Sequence, residues 1–265
     1  LQSTYEKDPT SWFAGPTSST RSLMIIDAND FTNFLFAKTS IQQDIGLYHR
    51  TISKAKITRA IRVNDILSEL KDSTNGYLKE TNKIWGFFEE NLGLIPKKSP
   101  SHGLIYRSLP PEIRNNKDFF IVPWMSLVAS IDGERLIDTL YKNSSYDNKL
   151  EFAWQELAKP VLELHSILTL KAGLSTEMHQ QNMLLAINRN SFQVEGIFLR
   201  DMDGMWIDYI VRKLLSKQED LSIGNTFTFK YDLAQKNMHF SYESKIRLES
   251  FRWILKYLLP SKELK

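Results

Sequence analysis

The amino-acid sequence predicts an α+β fold that is rich in helix, with small antiparallel sheets and a cleft between two subdomains. Three observations lead to this fold class: apolar residues at helical spacing over 150–168, a β-hairpin pattern over 183–199, and an apolar run at 23–26 that follows a polar loop. The chain has 265 residues, of which 42% are hydrophobic, so it can bury a sizeable core. We expect the two subdomains to span residues 1–95 and 96–265.

The first subdomain is predicted to open with a polar loop that leads into the strand at 23–26. The run Lys56–Arg62 favours a second strand. Asn64 and Asp65 then suit the start of a helix, whose broken apolar periodicity continues to a C-cap at Gly93. This half of the chain is therefore predicted to combine short strands with one long helix.

The second subdomain follows a proline-rich stretch. Prolines between residues 96 and 111 flank a short strand at 102–107, which we interpret as the seam between the subdomains. Pro160 must kink or split a helix that ends near Gly173, because proline lacks the backbone N–H. The elements predicted after the seam are helices at 135–141, 150–173, 207–215 and 246–259 and a β-hairpin with strands 183–187 and 192–199.

Composition excludes several classes of site and partner. The chain has no cysteine, which removes disulfides and thiolate metal sites and fits a reducing compartment, so we expect a cytoplasmic location. The net charge of +3 comes without a long basic run, so we expect no nucleic-acid partner. No apolar stretch reaches the roughly 18 to 20 residues of a membrane span, so we expect no membrane partner.

Polar side chains gather at the outer ends of the predicted hairpin. Antiparallel strands that are joined by a tight turn bring their outer ends together, so Glu177, His179, Asn182 and Asp201 should meet in space. Carboxylate and amide oxygens of this kind suit Mg²⁺ together with substrate phosphates. The pattern therefore favours a nucleotide site, while a helix-to-hairpin junction with capping residues remains the structural alternative.

The same residues resemble a known family. The run Leu170–Asn182, followed by Arg200 and Asp201, is similar to the Glu-x-His-x-Gln-Asn and Arg-Asp motifs of the siderophore synthetases that work independently of non-ribosomal peptide synthetases, the aerobactin-synthetase-like enzymes. Ser19–Ser22 resembles that family's Ser-x-Arg-Thr nucleotide motif, and Ile57–Arg62 resembles its strand with a threonine and an arginine four positions later. Two further stretches, Gly103–Arg107 and Phe120–Trp124, also fall in the family's order.

The resemblance covers the later part of the family's usual length. The family's opening region, with its His-Pro-rich substrate motif, has no counterpart in a chain that begins at Leu1, so we expect a fragment of a longer protein. The family's lysine has two candidates: Lys38 lies in a predicted strand, whereas Arg50 has the family's offset from Arg62. The sequence leaves this choice open.

What the resemblance implies is an AMP-forming carboxylate–amine ligase of siderophore biosynthesis and iron acquisition, with a fingers/palm-like nucleotide cleft. Such an enzyme uses ATP and Mg²⁺ to adenylate a carboxylate of citrate or a related polycarboxylic acid, and then passes the acyl group to an amine or alcohol. Its partners are these small molecules, and the sequence leaves open whether the chain forms a homodimer.

The resemblance also implies roles for individual residues. Phosphate and carboxylate groups would be neutralised by Arg21, Arg62 and either Lys38 or Arg50. The magnesium ligands would be Glu177, Asn182 and Asp201; the α-phosphate donor would be His179; and further nucleotide contacts would come from Ser19, Ser22 and Gln181.

Two other functions fit parts of the pattern. An acid before His179 and Asn182, and Asp201 after a hairpin, are also typical of small-molecule kinases, with Glu177 as the base. The sequence lacks a kinase's Gly-rich loop and Val-Ala-x-Lys strand, which counts against this reading. A subdomain that binds nucleotide or a partner without turnover is the third alternative.

Overall fold

The fold is seen in a computed structural model. It describes residues 12–17, 19, 21–30, 34–41, 44–45, 48–99, 101–176, 178 and 180–217. The helix predicted at 246–259 lies outside these residues.

Most of the described residues lie in short strands and in a few helices. The strands are β1 (Trp12–Pro16), β2 (Ser22–Asp27), β3 (Phe34–Thr39), β4 (Asp44–Ile45), β5 (Tyr48–His49), β6 (Tyr77–Leu78), β7 (Lys83–Phe87), β8 (Glu89–Leu94), β9 (Leu104–Ser108), β10 (Phe119–Pro123), β11 (Ser130–Ile131), β12 (Glu134–Arg135), β13 (Leu174–Ser175), β14 (Met183–Asn188), β15 (Val194–Leu199) and β16 (Trp206–Ile207). The helices are α1 (Lys54–Thr74), α2 (Pro111–Arg114), α3 (Leu136–Lys142), α4 (Lys149–Phe152), α5 (Lys159–Ala172) and α6 (Tyr209–Leu214). The expected α+β class is confirmed.

Two five-stranded sheets organise the strands. The first sheet has the order β1-β2-β3-β9-β8, and the second has the order β10-β14-β15-β7-β6. Within the described residues, the neighbours in both sheets run antiparallel except β7 and β15, which are parallel. Each sheet contains strands from either side of residue 95, and the division into two subdomains at that residue stays a prediction.

The long helix α1 corrects the strand predicted at Lys56–Arg62. The Ser53 side chain caps the helix by accepting a hydrogen bond from the Lys56 amide, and Asn75 ends it in the left-handed conformation with φ 52°. The β-branched residues of the run suit a strand in isolation. Helical spacing nevertheless buries Ile57, Ala60, Val63, Leu67 and Leu70 together, and this burial outweighs the local preference.

The predicted continuation of that helix to Gly93 is also wrong. Asn75 and Gly76 both have positive φ, which stops the helix, and the chain then forms β7 and β8. Gly93 lies within β8 and does not cap a helix. Trp85 and Phe87, which lie within the range of the predicted helix, are buried strand residues instead.

Several other predictions are confirmed. The strands at 23–26 and 102–107 correspond to β2 and β9, and the hairpin corresponds to β14 and β15. Before Pro160, residues Ala153–Ala158 form a π-helical segment, so α4 and α5 are joined through an irregular helical turn. Helix α5 ends as expected at Gly173, which has φ 62°.

The second sheet separates two groups of core residues. Leu185 and Ile197 point to the main core, which includes residues of α1 and α5. Leu184 and Phe198, one position away along the same strands, point to a smaller apolar cluster on the opposite face. None of the helices in the described ranges is long and apolar enough to cross a membrane.

Candidate nucleotide-binding site

A small polar pocket lies where the strand pair β2–β3 meets the outer end of the hairpin β14–β15. Its volume is about 80 Å³. Two backbone contacts bring its residues together. Ser22 pairs with Lys38 across β2 and β3, and the Arg200 amide donates to the Asn182 carbonyl at 3.1 Å just beyond the ends of β14 and β15. The residues that line it are Ser19, Arg21, Ser22, Lys38, Arg50, Arg107, Gln181, Asn182, Arg200 and Asp201.

Most of the residues singled out from the sequence meet in this pocket. Eight of them are among the ten described residues that line the pocket, and the other two of these ten are Arg107 and Arg200. Arg62 lies on α1 and is not among the described residues that line the pocket. Glu177 and His179 lie outside the described residues, so their roles stay predictions.

Lys38 is the central cation of the pocket. Its side chain is buried in β3, with 2% exposure, and its ammonium group forms ion pairs with both Asp201 and Asp203. Asp201 has φ 75°, and the short 3-10 turn Met202–Gly204 follows it directly. This turn brings two carboxylates, two positions apart in sequence, to one ammonium group.

A second chain of contacts supports Asp201 from the other side. The Arg107 guanidinium on β9 pairs with Glu90 on β8 and with Asp201. Glu90 is fully buried; its second carboxylate oxygen accepts the Met202 amide at 3.2 Å, and its own amide donates to the Asn64 side chain at 3.0 Å. Helix α1, two strands of the first sheet and the end of the hairpin are thus tied together by polar contacts.

This network sets the ionisation of the acidic groups. Burial opposes ionisation of Asp201, but Lys38 and Arg107 outweigh it and hold the pKa of Asp201 well below its usual range. Burial raises the pKa of Glu90, although the Arg107 guanidinium acts in the opposite direction. Burial disfavours the charge of Arg107 as well, yet Glu90 and Asp201 raise its pKa above the usual value.

The lining carries an excess of positive charge. Among the described lining residues, five side chains are cationic and one, Asp201, is a carboxylate. Burial lowers the pKa of Arg21, and the nearby Arg50 and Arg107 lower it further, against the opposing effect of the two aspartates. An anionic group in this pocket would relieve the repulsion among these cations, so the pocket suits phosphate or carboxylate groups.

A larger aromatic pocket adjoins the polar one. It has a volume of about 610 Å³, within the range of small-molecule sites. Phe34 and Phe36 lie edge to face with ring centres 5.9 Å apart, and Phe36 lies 6.1 Å from Phe88. The described residues that line both pockets are Ser22, Arg107 and Arg200.

The residues that could hold a magnesium ion are few in the described part of the chain. Asp201 and Asp203 offer carboxylate oxygens, and Asn182 adds an amide. These donors are of the kind that Mg²⁺ prefers. The described residues contain no group of three or more histidine or acidic side chains that could hold a metal.

Sequence reasoning missed the residues that support the site. Arg107 carries the clearest signal: it lies two positions after the buried Ile105, on the same face of β9, where a charged residue is unexpected. Asp203 follows Asp201 at a spacing of two, which also could have been noticed. Glu90 had no such signal, because its partners come from other elements.

The fold is shared with siderophore synthetases of known structure. Petrobactin biosynthesis protein AsbB from Bacillus anthracis str. Sterne matches with a TM-score of 0.64 and 18% identity, over 91% of this chain and 42% of that protein. ATP-bound aerobactin synthetase IucA from Klebsiella pneumoniae matches with a TM-score of 0.64 and 17% identity, over 92% of this chain and 43% of that protein. Aerobactin synthetase IucC from the same species matches with a TM-score of 0.51 and 16% identity, over 70% of this chain and 32% of that protein.

The resemblance predicted from the motifs is thus confirmed at the level of the fold. The chain spans about two fifths of the length of AsbB and IucA. Its sequence matches no protein-family model. A comparison with curated proteins finds no match either.

Proposed function

We propose, from the fold that this chain shares with siderophore synthetases, that it takes part in siderophore biosynthesis as an ATP-dependent ligase. The substrate would be a carboxylate of citrate or a related polycarboxylic acid, which is adenylated and then condensed with an amine or alcohol. The observation that carries the proposal is the pair of adjoining pockets, one aromatic and one lined by five cations. A nucleotide has the matching halves, an aromatic base and an anionic phosphate chain.

In this proposal the base of ATP occupies the aromatic pocket. Phe34 and Phe36 offer aromatic surface for stacking or edge contacts. The phosphate chain then extends past Ser22 into the polar pocket, where Arg21 and Arg50 meet it. The ATP-bound state of the structural relative IucA supports a nucleotide in this fold.

Mg²⁺ would be held by Asp201 and Asn182, with Asp203 beside them and Glu177 as a further ligand predicted from the sequence. When bound, this ion would neutralise charge on the phosphate chain. Lys38, which pairs with both aspartates, would then be able to exchange a carboxylate for a phosphate oxygen. His179 is proposed to donate to the α-phosphate.

The structure favours one of the two candidates for the family's lysine. Lys38 pairs with Ser22 across neighbouring strands, so we assign the lysine role to Lys38. Arg50 lines the same pocket, whereas Arg62 lies on α1 away from its lining. We therefore place Arg50, in addition to Lys38, among the cations that neutralise the phosphate chain, where the resemblance had placed Arg62.

A kinase-like phosphotransferase is the second candidate function. One observation favours it: a lysine on a strand pairs with an aspartate that follows a hairpin, and kinases use these same parts around ATP and Mg²⁺. The two candidates differ in which phosphorus atom is attacked and hence in the nucleotide product.

Product analysis tests the proposal. The longest natural form of the chain is incubated with ATP, Mg²⁺, a panel of citrate-like acids and hydroxylamine as a surrogate amine. We expect AMP and pyrophosphate to form only with an acid, together with a hydroxamate. Formation of ADP would favour the kinase, and nucleotide binding without any product would favour a non-catalytic binding module.

A further inference from the structure

Arg200 occupies the junction between the two pockets. It follows strand β15 directly and is one of three described residues, with Ser22 and Arg107, that line both the aromatic and the polar pocket. Its backbone is fixed, since its amide donates to the Asn182 carbonyl at 3.1 Å. The position of its side chain is therefore tied to the end of the hairpin.

The other two residues at the junction are engaged in contacts within the protein. Arg107 forms ion pairs with Glu90 and Asp201. The Ser22 hydroxyl donates a hydrogen bond to the Ser19 hydroxyl at 3.3 Å. By contrast, the hydrogen bonds and ion pairs within the described part of the chain do not involve the Arg200 guanidinium, whose charged neighbours are Arg107 and Asp201. Since Arg107 also lines both pockets, the junction is lined by two guanidinium groups, and an anion there would be stabilising.

We infer that Arg200 binds the α-phosphate of the nucleotide, an inference that rests on the function proposed above. A base in the aromatic pocket and outer phosphates near Arg21 and Arg50 leave the α-phosphate at the junction. A guanidinium has five N–H donors and can bind two phosphate oxygens at once. Arg200 is thereby assigned a contact that the motif resemblance had not given to any arginine.

This contact would determine which bond breaks. In adenylation, a carboxylate oxygen of the acid forms a bond to the α-phosphorus, and the bond from that phosphorus to the bridging oxygen of the β-phosphate breaks. Pyrophosphate leaves with the electron pair, and no oxidant, reductant or proton transfer is required. Negative charge increases on the α-phosphoryl oxygens in the transition state, where a fixed guanidinium stabilises it.

A series of ligands with zero to three phosphate groups tests the assignment with the full chain. Binding of adenosine, AMP, ADP and ATP is measured for the wild type, Arg200→Gln and the control Arg135→Gln, an arginine that pairs with Asp138 and lines neither pocket. For Arg200→Gln we expect unchanged affinity for adenosine and an equal loss, about 10- to 100-fold, for AMP, ADP and ATP. The Arg135→Gln variant should bind all four ligands like the wild type, and Arg200→Lys should restore part of the lost affinity.

Two results would overturn the assignment. Weaker binding of ATP with unchanged binding of AMP would place Arg200 at the outer phosphates, and an equal loss for adenosine would show a contact with the base or a distorted pocket. If Arg200→Gln gives the expected pattern of affinities but the wild type forms ADP or no product, the adenylation proposal fails while the α-phosphate contact stands. If the wild type binds none of the four ligands, both fail. If thermal unfolding shows that Arg200→Gln is not folded, binding of the same four ligands is measured with Arg200→Lys.

Discussion

Lys38 and Asp201 form a partly buried ion pair across 163 positions of sequence. Lys38 belongs to the first sheet, and Asp201 follows the last strand of the hairpin in the second sheet. The pair therefore joins the two sheets at the pocket, and each partner also contacts a further charged group. The site's electrostatics and the contact between the sheets depend on the same residues.

Removing the charge of Asp201 is expected to abolish adenylation. Asp201→Asn should lower AMP formation about 100- to 1,000-fold, because the proposed metal loses a carboxylate and the phosphate site loses its fixed geometry. Pyrophosphate release measures the effect, with Asp118→Asn on an exposed turn as the control. Since Asp203 still pairs with Lys38, the variant should fold, and undiminished turnover in a folded variant would refute this role of Asp201.

The buried pair of Glu90 and Arg107 predicts a stability effect without any ligand. Glu90→Gln should lower the free energy of unfolding by about 3–5 kcal/mol, because Arg107 then keeps a buried charge with only Asp201 as its partner. Urea unfolding measures this loss. The matched control is Glu89→Gln, a partly exposed neighbour that should change stability by less than about 1 kcal/mol. Equal effects of the two substitutions would contradict the prediction.

The depressed pKa of Asp201 predicts a loss of stability in acid. The carboxyl titrates near 3.9 in an unfolded chain and at a lower pH in the folded protein. Its stabilising effect is therefore complete above the unfolded value and is lost as the pH falls towards the folded one. The raised pKa of Glu90 has the opposite effect on stability, which it increases as the pH falls.

The free energy of unfolding is measured between pH 6 and pH 3 to check this sign. We expect the wild type to lose stability more steeply below about pH 4 than Asp201→Asn does. Asp118→Asn again serves as the control, and parallel curves for the wild type and Asp201→Asn would show that Asp201 does not carry the effect.

The proposed binding of the base in the aromatic pocket predicts a loss of affinity that is the same for ligands with and without phosphate. Phe34→Leu removes one ring of the edge-to-face pair and should weaken adenosine and ATP by the same factor, about 3- to 10-fold. Equilibrium binding of the two ligands provides the measurement. Phe13→Leu, an exposed substitution on β1, should leave both affinities unchanged. A loss for ATP alone would argue against a base in this pocket.

The parts of the site that sequence reasoning predicted are those that depend on neighbours in the chain. A tight turn between two strands determines that Asn182 and Arg200 lie side by side, and this follows from the hairpin pattern alone. Ser22 and Lys38 likewise come together because β2 and β3 are consecutive strands. Such pairings require no knowledge of the rest of the fold.

The errors arose where distant residues decide the structure. Residues 56–62 contain β-branched side chains and were predicted as a strand, but packing against the second sheet and α5 makes them part of α1. Arg62 therefore lies on α1, whereas its predicted place in the pocket depended on the strand. The contacts of Glu90 with Arg107 and Met202 join three separate elements, and a single sequence without its fold does not show such contacts.

The long separation between Lys38 and Asp201 also bears on the order in which the chain can acquire its structure. During synthesis from the N-terminus, β3, β8 and β9 emerge well before the hairpin that carries Asp201. Until then Lys38 lacks both of its carboxylate partners, and β7 lacks β15, the parallel neighbour that completes the second sheet. Closing such long loops is slow, so the pocket forms late, and a nascent chain interrupted before residue 201 leaves an unbalanced cation near the end of the central strand β3.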